Sequence, residues 1–211
     1  MPEIDELTIA DEPASWAALG FAVEGETCRI GGVALRLAGR GAGRGIVRWT
    51  LRGAASTELD GLPTVLADAT SAPSAAPAPA HPNGVTRIDH VVAVSPALDR
   101  TVAALQAAGL DLRRVREEPT PAGAPRQAFF RLGAEILEAI QEPADVVEQA
   151  GGTARPAFFW GLALRCEDLD ATAAGLGEHV SEVRDAVQPG RRIASLRRSA
   201  GLALPVALMT A

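Results

Sequence analysis

Three stretches of this chain carry the same short patterns in the same order, and an ordered repeat constrains a fold more tightly than any single motif. Ile4-Asp5-Glu6 matches Ile88-Asp89-His90. Cys28-Arg29-Ile30-Gly31 matches Phe130-Arg131-Leu132-Gly133, and Leu35-Arg36-Leu37 then falls on Leu137-Glu138-Ala139. Further along, Leu169-Asp170 matches Leu98-Asp99. The chain therefore reads as three unequally worn copies of one unit.

The middle copy is the clearest. Residues 85–94, with β-branched Val91, Val92 and Val94, predict a strand. Ser95 and Pro96 predict a helix start, as N-cap and first helical residue. Leu98, Val102 and Leu105 then fall at helical spacing, and Gly109 ends the helix. Strands follow over 112–117, 126–132 and 135–141. The stretch after Arg155 repeats this order, with a strand at 158–166, a helix at 168–176 and strands near 180–187, 191–197 and 202–209. The first copy gives a strand at 6–10, a short helix at 13–19 and strands at 27–30, 33–37 and 45–51. The expected class is α+β, built from repeated βαβββ modules. Between the first two copies, residues 69–84 read ATSAPSAAPAPAHPNG, with no apolar period, which predicts a Pro/Ala-rich linker. The organisation is then a degenerate module over 1–68, the linker over 69–84, and paired modules over 85–142 and 157–211.

Composition excludes several chemistries. All 20 basic residues are Arg, so there is no Schiff-base lysine, P-loop lysine or kinase strand lysine. The stretch GRGAGRG at 39–45 lacks that lysine and a following helix, and reads as a strand connection. A net charge of −6 argues against a general nucleic-acid role. Two distant cysteines, Cys28 and Cys166, make no disulfide framework or thiolate zinc site and read as free thiols. The acidic N-terminal segment lacks a signal-peptide pattern, and no apolar run reaches membrane-helix length. A cytoplasmic location without membrane contact is the expectation.

A βαβββ unit opening on Ile88-Asp89-His90-Val91-Val92 and closing on Ile136-Leu137-Glu138 resembles the vicinal oxygen chelate superfamily. That group includes glyoxalase I, bleomycin-resistance proteins, extradiol dioxygenases and methylmalonyl-CoA epimerase. The resemblance covers 85–211, with a fainter likeness over 1–55. It implies that units pair into a cupped mixed β-sheet with flanking helices, a glyoxalase-like domain. It also implies a divalent metal held by a residue on the first strand and a Glu on the last strand of each unit. His90 and Glu138 take those places here, with Glu138 also the candidate catalytic group. A His plus a carboxylate suits Fe, Mn, Ni, Co or Zn without choosing among them. The activity implied is a metal-assisted lyase, isomerase or dioxygenase reaction on a small oxygenated substrate. The alternative is a metal-free small-molecule binding protein of the bleomycin-resistance type.

The other copies depart from this pattern. The third has Gly161 at the His90 position and Val206 or Ala207 at the Glu138 position. Two protein ligands are fewer than the three that catalytic zinc sites usually keep. The first copy has Glu6 and Arg36 at these places, so pairing it with the second adds a carboxylate and a cation that suits a substrate carboxylate.

Plainer readings stand beside these. His90 is also read as a hydrogen-bonded sheet histidine. Glu138, flanked by Ile136, Leu137, Ala139 and Ile140, needs a metal, a raised pKa or an ion pair with Arg131 or Arg126. The turn at Gln188-Pro189-Gly190 feeds either solvated arginines or an anion pocket with Arg191 and Arg197 on one strand face. Phe129 and Arg131 join them as candidate ligand contacts. His81 is expected in solvent and His179 at the surface. An odd number of units leaves one without an intrachain partner, so an exposed sheet edge and a homodimer are expected.

Overall fold

The computed structural model describes residues 1–68, 78–120 and 123–211. The N-terminal part runs β1 (Glu3–Ile9), α1 (Pro13–Ala18), β2 (Thr27–Ile30), β3 (Val33–Leu37), β4 (Ile46–Arg52) and β5 (Thr64–Leu66). The remainder runs β6 (Val85–Ser95), α2 (Leu98–Ala107), β7 (Asp111–Arg116), β8 (Gln127–Leu132), β9 (Glu135–Gln141) and α3 (Ala144–Gln149). It ends with β10 (Phe158–Cys166), α4 (Leu169–Leu176), β11 (Arg184–Asp185), β12 (Arg192–Ser195) and β13 (Val206–Met209). The class is α+β.

The strands form two mixed sheets. One has the order β2-β3-β1-β4-β5, the other β11-β12-β13-β10-β6-β9-β8-β7. The smaller sheet repeats the centre of the larger one. β1 pairs parallel with β3 and antiparallel with β4, as β6 pairs parallel with β9 and antiparallel with β10. β5 lies parallel to β4, as β13 lies parallel to β10. The strand at Ile46–Arg52, counted from the sequence as the last of the first unit, therefore takes the place that β10 takes beside β6. β4 and β5 thus lie on the flank of β1 that corresponds to the β10 flank of β6.

Period-2 alternation gives each sheet one apolar face. Leu7, Leu35, Trp49 and Leu51 are fully buried on the first, and Val91, Leu137, Phe130 and Leu164 on the second. These faces belong to one continuous core. Trp49 packs edge-on against Phe159 at 5.1 Å between ring centroids. Hydrogen bonds also tie the halves together. The buried Asp11 carboxylate accepts from the backbone N–H groups of Ala203 (2.6 Å) and Leu204 (3.4 Å). Arg100 pairs with Asp60 at 2.6 Å.

Several local expectations shift. α2 begins at Leu98, because Ser95 stays in β6, where its hydroxyl accepts the Ala97 N–H at 3.0 Å and bonds the Thr101 hydroxyl at 2.6 Å. The strand expected at 180–187 shrinks to Arg184–Asp185 and a bridge at Val180. Of the stretch read as a linker, 69–77 lies outside the described residues, and 78–84 is anchored. His81 is buried instead of solvated, and its Nδ1 accepts the Ala22 N–H at 3.0 Å. Asn83 donates to the Leu19 carbonyl at 2.9 Å. Among the described residues, no helix is long and apolar enough to cross a membrane.

Candidate functional site

The candidate site sits on the face of the eight-stranded sheet opposite the core. A β-bulge builds it. Ile88 pairs with Leu164 and His90 with Ala163, so Asp89 is an extra residue on β6. A bulge turns two consecutive side chains towards one side. Ile88 and Val91 both face the core, and Asp89 and His90 meet on the other side, where Asp89 Oδ2 lies 2.8 Å from His90 Nδ1. β9 runs parallel to β6 with Val92 beside Glu138, which sets Glu138 diagonally from His90. The His90 Nε2 atom lies 3.2 Å from Glu138 Oε2.

Each member has a supporting partner. Asp89 is clamped by two arginines: Arg165 donates to Oδ1, and Arg191 donates to Oδ1 at 2.9 Å and Oδ2 at 3.2 Å. Burial opposes the charge on Asp89, but hydrogen bonds from His90, Arg191 and Arg165 outweigh it and hold the carboxyl well below the usual range. Glu138 is the reverse case. Burial pushes its carboxyl above the usual range, against the pull of His90, of a hydrogen bond from Gln127 and of Arg116. Gln127, one strand over on β8, donates Nε2 to Glu138, and its buried Oε1 has no partner among the described residues. The site thus contains an ionised aspartate, an imidazole between two carboxyl groups, and a glutamate biased towards holding its proton.

The other expected residues divide. Phe129 sits directly beside Glu138 across β8 and β9, half-buried on the same face. Arg131 stands beside Ile136 further along that strand; it is exposed, and its Nε donates to the Gly133 carbonyl at 2.8 Å. Arg191 does not stand as a free cation. Besides Asp89 it donates to the Thr210 carbonyl (2.7 Å) and the Gln188 side chain (2.8 Å), so it fixes a carboxylate. Arg197 lies beyond β12 at the start of a 3₁₀ turn, exposed, its N–H bonded to the His179 carbonyl at 2.8 Å. The structural ion pair expected for Glu138 does not form with Arg126, which binds Glu117 and Asp99. Sequence reading missed Asp89, Gln127 and Arg165. Gln127 had a signal, standing two residues before Phe129 on the same strand face. Arg165 had none, since only the pairing of β6 with β10 brings it to Asp89.

The donor set does not fit a resident metal. By register, Val92 beside Glu138 corresponds to Ala163 beside Ala207, which settles Ala207 as the third-unit counterpart. Gly161 replaces His90 for a steric reason: a Cβ there would lie 2.5 Å from the Pro205 carbonyl oxygen. Asp89 is on the far side of the imidazole, so it supports His90 without joining Glu138 as a ligand. Among the described residues, no group of three His, Cys, Asp or Glu side chains is placed to hold a cation.

The wall beside these groups is apolar. A second bulge at Trp160 leaves it 55% exposed, and Phe158 beside Val94 is 38% exposed. Both stand on the His90 face. A cavity of about 720 Å³ lies elsewhere, between the end of α1, Pro82–Gly84 and α4, and includes none of these residues.

No protein-family model and no curated protein matches the chain. Solved structures do. A xylose isomerase-like TIM barrel/4-hydroxyphenylpyruvate dioxygenase fusion protein matches at TM-score 0.63 and 14% identity, over 99% of this chain and 48% of that one. The chain thus spans about half of that fusion. Methylmalonyl-CoA epimerase from Mycobacterium tuberculosis matches at TM-score 0.47 and 19% identity, over 60% of this chain and 89% of that one. The Streptomyces coelicolor epimerase in complex with 2-nitronate-propionyl-CoA matches at 0.48 and 24%, over 60% and 98%. The whole-chain likeness, with the parallel first and last strands of each unit and the paired units around β6 and β10, shows that this protein has the vicinal oxygen chelate fold.

Proposed function

We propose that the eight-stranded sheet binds a small oxygenated molecule and that the His90–Glu138 pair moves a proton on it, an isomerase-type reaction. The observation that carries this reading is the 3.2 Å contact between His90 Nε2 and Glu138 Oε2, with Asp89 holding Nδ1. Asp89 accepts a hydrogen bond from Nδ1–H and so directs Nε2 at Glu138. The pair then shares one further proton. When it rests on His90, the Glu138 carboxylate takes a proton from a carbon next to a carbonyl. The C–H electron pair moves onto the carbonyl oxygen, and the imidazolium N–H donates a hydrogen bond to the enolate. Return of the proton to that carbon gives exchange alone; in a hydroxyketone, its return to the adjacent carbon of the enediolate, with the imidazole passing a proton between the two oxygens, gives the isomer. A carboxyl with a raised pKa is the stronger base this needs near neutral pH.

The test is proton exchange in heavy water, followed by NMR, with a panel of 2-oxo acids, hydroxyketones and acyl thioesters. Exchange at one carbon of one compound, lost in Glu138→Gln and in His90→Gln, is the expected result. Absence of exchange from every compound the protein binds would overturn it.

A second reading, a binding protein without chemistry, is favoured by the exposed Phe158 and Trp160 beside the apolar Gly161 and Ala163. Trp16 and Trp49 are buried, so ligand-dependent fluorescence quenching reports Trp160. Quenching that survives joint replacement of His90 and Glu138 by Ala, without exchange in the parent, decides for this reading.

A further inference from the structure

The smaller sheet repeats the site's scaffold with different chemistry. Glu6 pairs with Ala34 and Thr8 with Arg36, as His90 pairs with Ile136 and Val92 with Glu138. The bulge recurs too: Ile4 pairs with Leu51 and Glu6 with Thr50, leaving Asp5 as the extra residue, bound to Arg52 at 2.8 Å. Glu6 is thus the counterpart of His90 and Arg36 that of Glu138.

The neighbours change in one direction. Across the row through Thr8 the face reads Thr27, Arg36, Thr8, Arg48, where the larger sheet has Phe129, Glu138, Val92, Gly161. Across the row through Glu6 it reads Arg29, Ala34, Glu6, Thr50, in place of Arg131, Ile136, His90, Ala163. Apolar wall has become Thr and Arg, on a protein whose net charge is −6.

The side chains are arranged around Thr8. Thr8 is buried as a residue, and its hydroxyl donates to Glu6 Oε1 at 3.5 Å and accepts from Arg48 Nε at 3.3 Å. Arg36 Nε donates to Glu6 Oε1 at 3.4 Å, and its Nη1 is 4.0 Å from exposed Glu26. Both arginines are thus held at Nε, on opposite sides of one strand, with their outer ends exposed. Strands lie about 4.8 Å apart, so Arg36 and Arg48 start about 10 Å apart and can converge over Thr8. A carboxylate is satisfied by one guanidinium fork, whereas a phosphate dianion has oxygens for two.

We propose that this face is a second ligand site that binds a phosphate monoester, with its phosphate between Arg36 and Arg48 above Thr8. It is distinct from the His90–Glu138 site and does not depend on the reading given for that site.

Calorimetric titration of the full chain at low ionic strength tests it, with inorganic phosphate, phenyl phosphate and benzoate as probes. Both phosphates are expected to bind with Kd of about 1 mM or tighter. Arg36→Gln and Arg48→Gln should each weaken binding by about fivefold or more. Arg113→Gln, which removes the same charge from an exposed arginine elsewhere, should leave it unchanged. Phenyl phosphate binding more tightly than inorganic phosphate identifies an ester; the reverse order identifies free phosphate and overturns the ester assignment. No phosphate binding, benzoate binding equally well, or equal weakening by Arg113→Gln would each overturn the site. Circular dichroism checks that the variants fold.

Discussion

The two sheets bear the same bulge in the same register, yet one holds its aspartate far more firmly than the other. Asp89 is 5% exposed and receives two arginines and an imidazole. Asp5 is 34% exposed and receives Arg52. The difference lies in what flanks the bulge. β6 has β10, β13 and β12 beside it, which deliver Arg165 and Arg191. β1 has β4 and the three-residue β5, and no strand beyond among the described residues. A repeated scaffold therefore carries a buried, clamped carboxylate where it is enclosed and an exposed ionic face where it is not.

The largest expected effect breaks this comparison directly. Asp89→Ala leaves two arginines facing a buried void and should cost about 3 kcal/mol in urea unfolding. Asp5→Ala should cost about 1 kcal/mol or less, because its pair is partly solvated. Equal losses would show that enclosure is not what separates the two bulges.

Gly161→Ala comes next, at about 2 kcal/mol, since the new Cβ must push back the Pro205 backbone. A neutral result would remove the steric account of why the third unit lacks a ligand there.

The pH dependence separates the two carboxyl groups within the larger sheet. The folded pKa of Asp89 is depressed, so its contribution is complete above the ordinary carboxylate range and is lost as pH falls below it. The folded pKa of Glu138 is raised, so its contribution is complete at acid pH and is lost as pH rises through that folded value. Glu138→Gln should match the parent within about 0.5 kcal/mol at acid pH and gain on it as pH rises. A constant difference across the range would contradict a raised Glu138.

Arg36→Gln is the smallest effect, below about 0.5 kcal/mol in unfolding, because the Glu6–Arg36 pair is exposed. A larger loss would mean that Arg36 serves the fold more than a ligand.

Much of this was legible in the residues. The offset that aligns Ile4-Asp5-Glu6 with Ile88-Asp89-His90 is the offset the strands adopt, because a side-chain period of 2 lets few registers bury Leu7, Leu35, Val91 and Leu137 together. The same alternation placed His90 and Glu138 on one face. What was not legible came from segments distant in sequence. His81 lies in a Pro/Ala-rich stretch that reads as solvated, but it packs against Phe21 at 5.5 Å. The strand at Ile46–Arg52 was counted within the first unit, since nothing local to it tells which side of β1 it joins.

The sequence alone determined the repeat, the alternating faces and the identity of the paired groups, because these follow from local periodicity. Only the tertiary structure decided that Asp89 turns to the same side as His90, that Arg191 clamps that aspartate, and that Pro205 excludes a side chain at Gly161. Each depends on which segments become neighbours, and a partner 102 residues away, as Arg191 is from Asp89, leaves no mark on the local pattern of either strand.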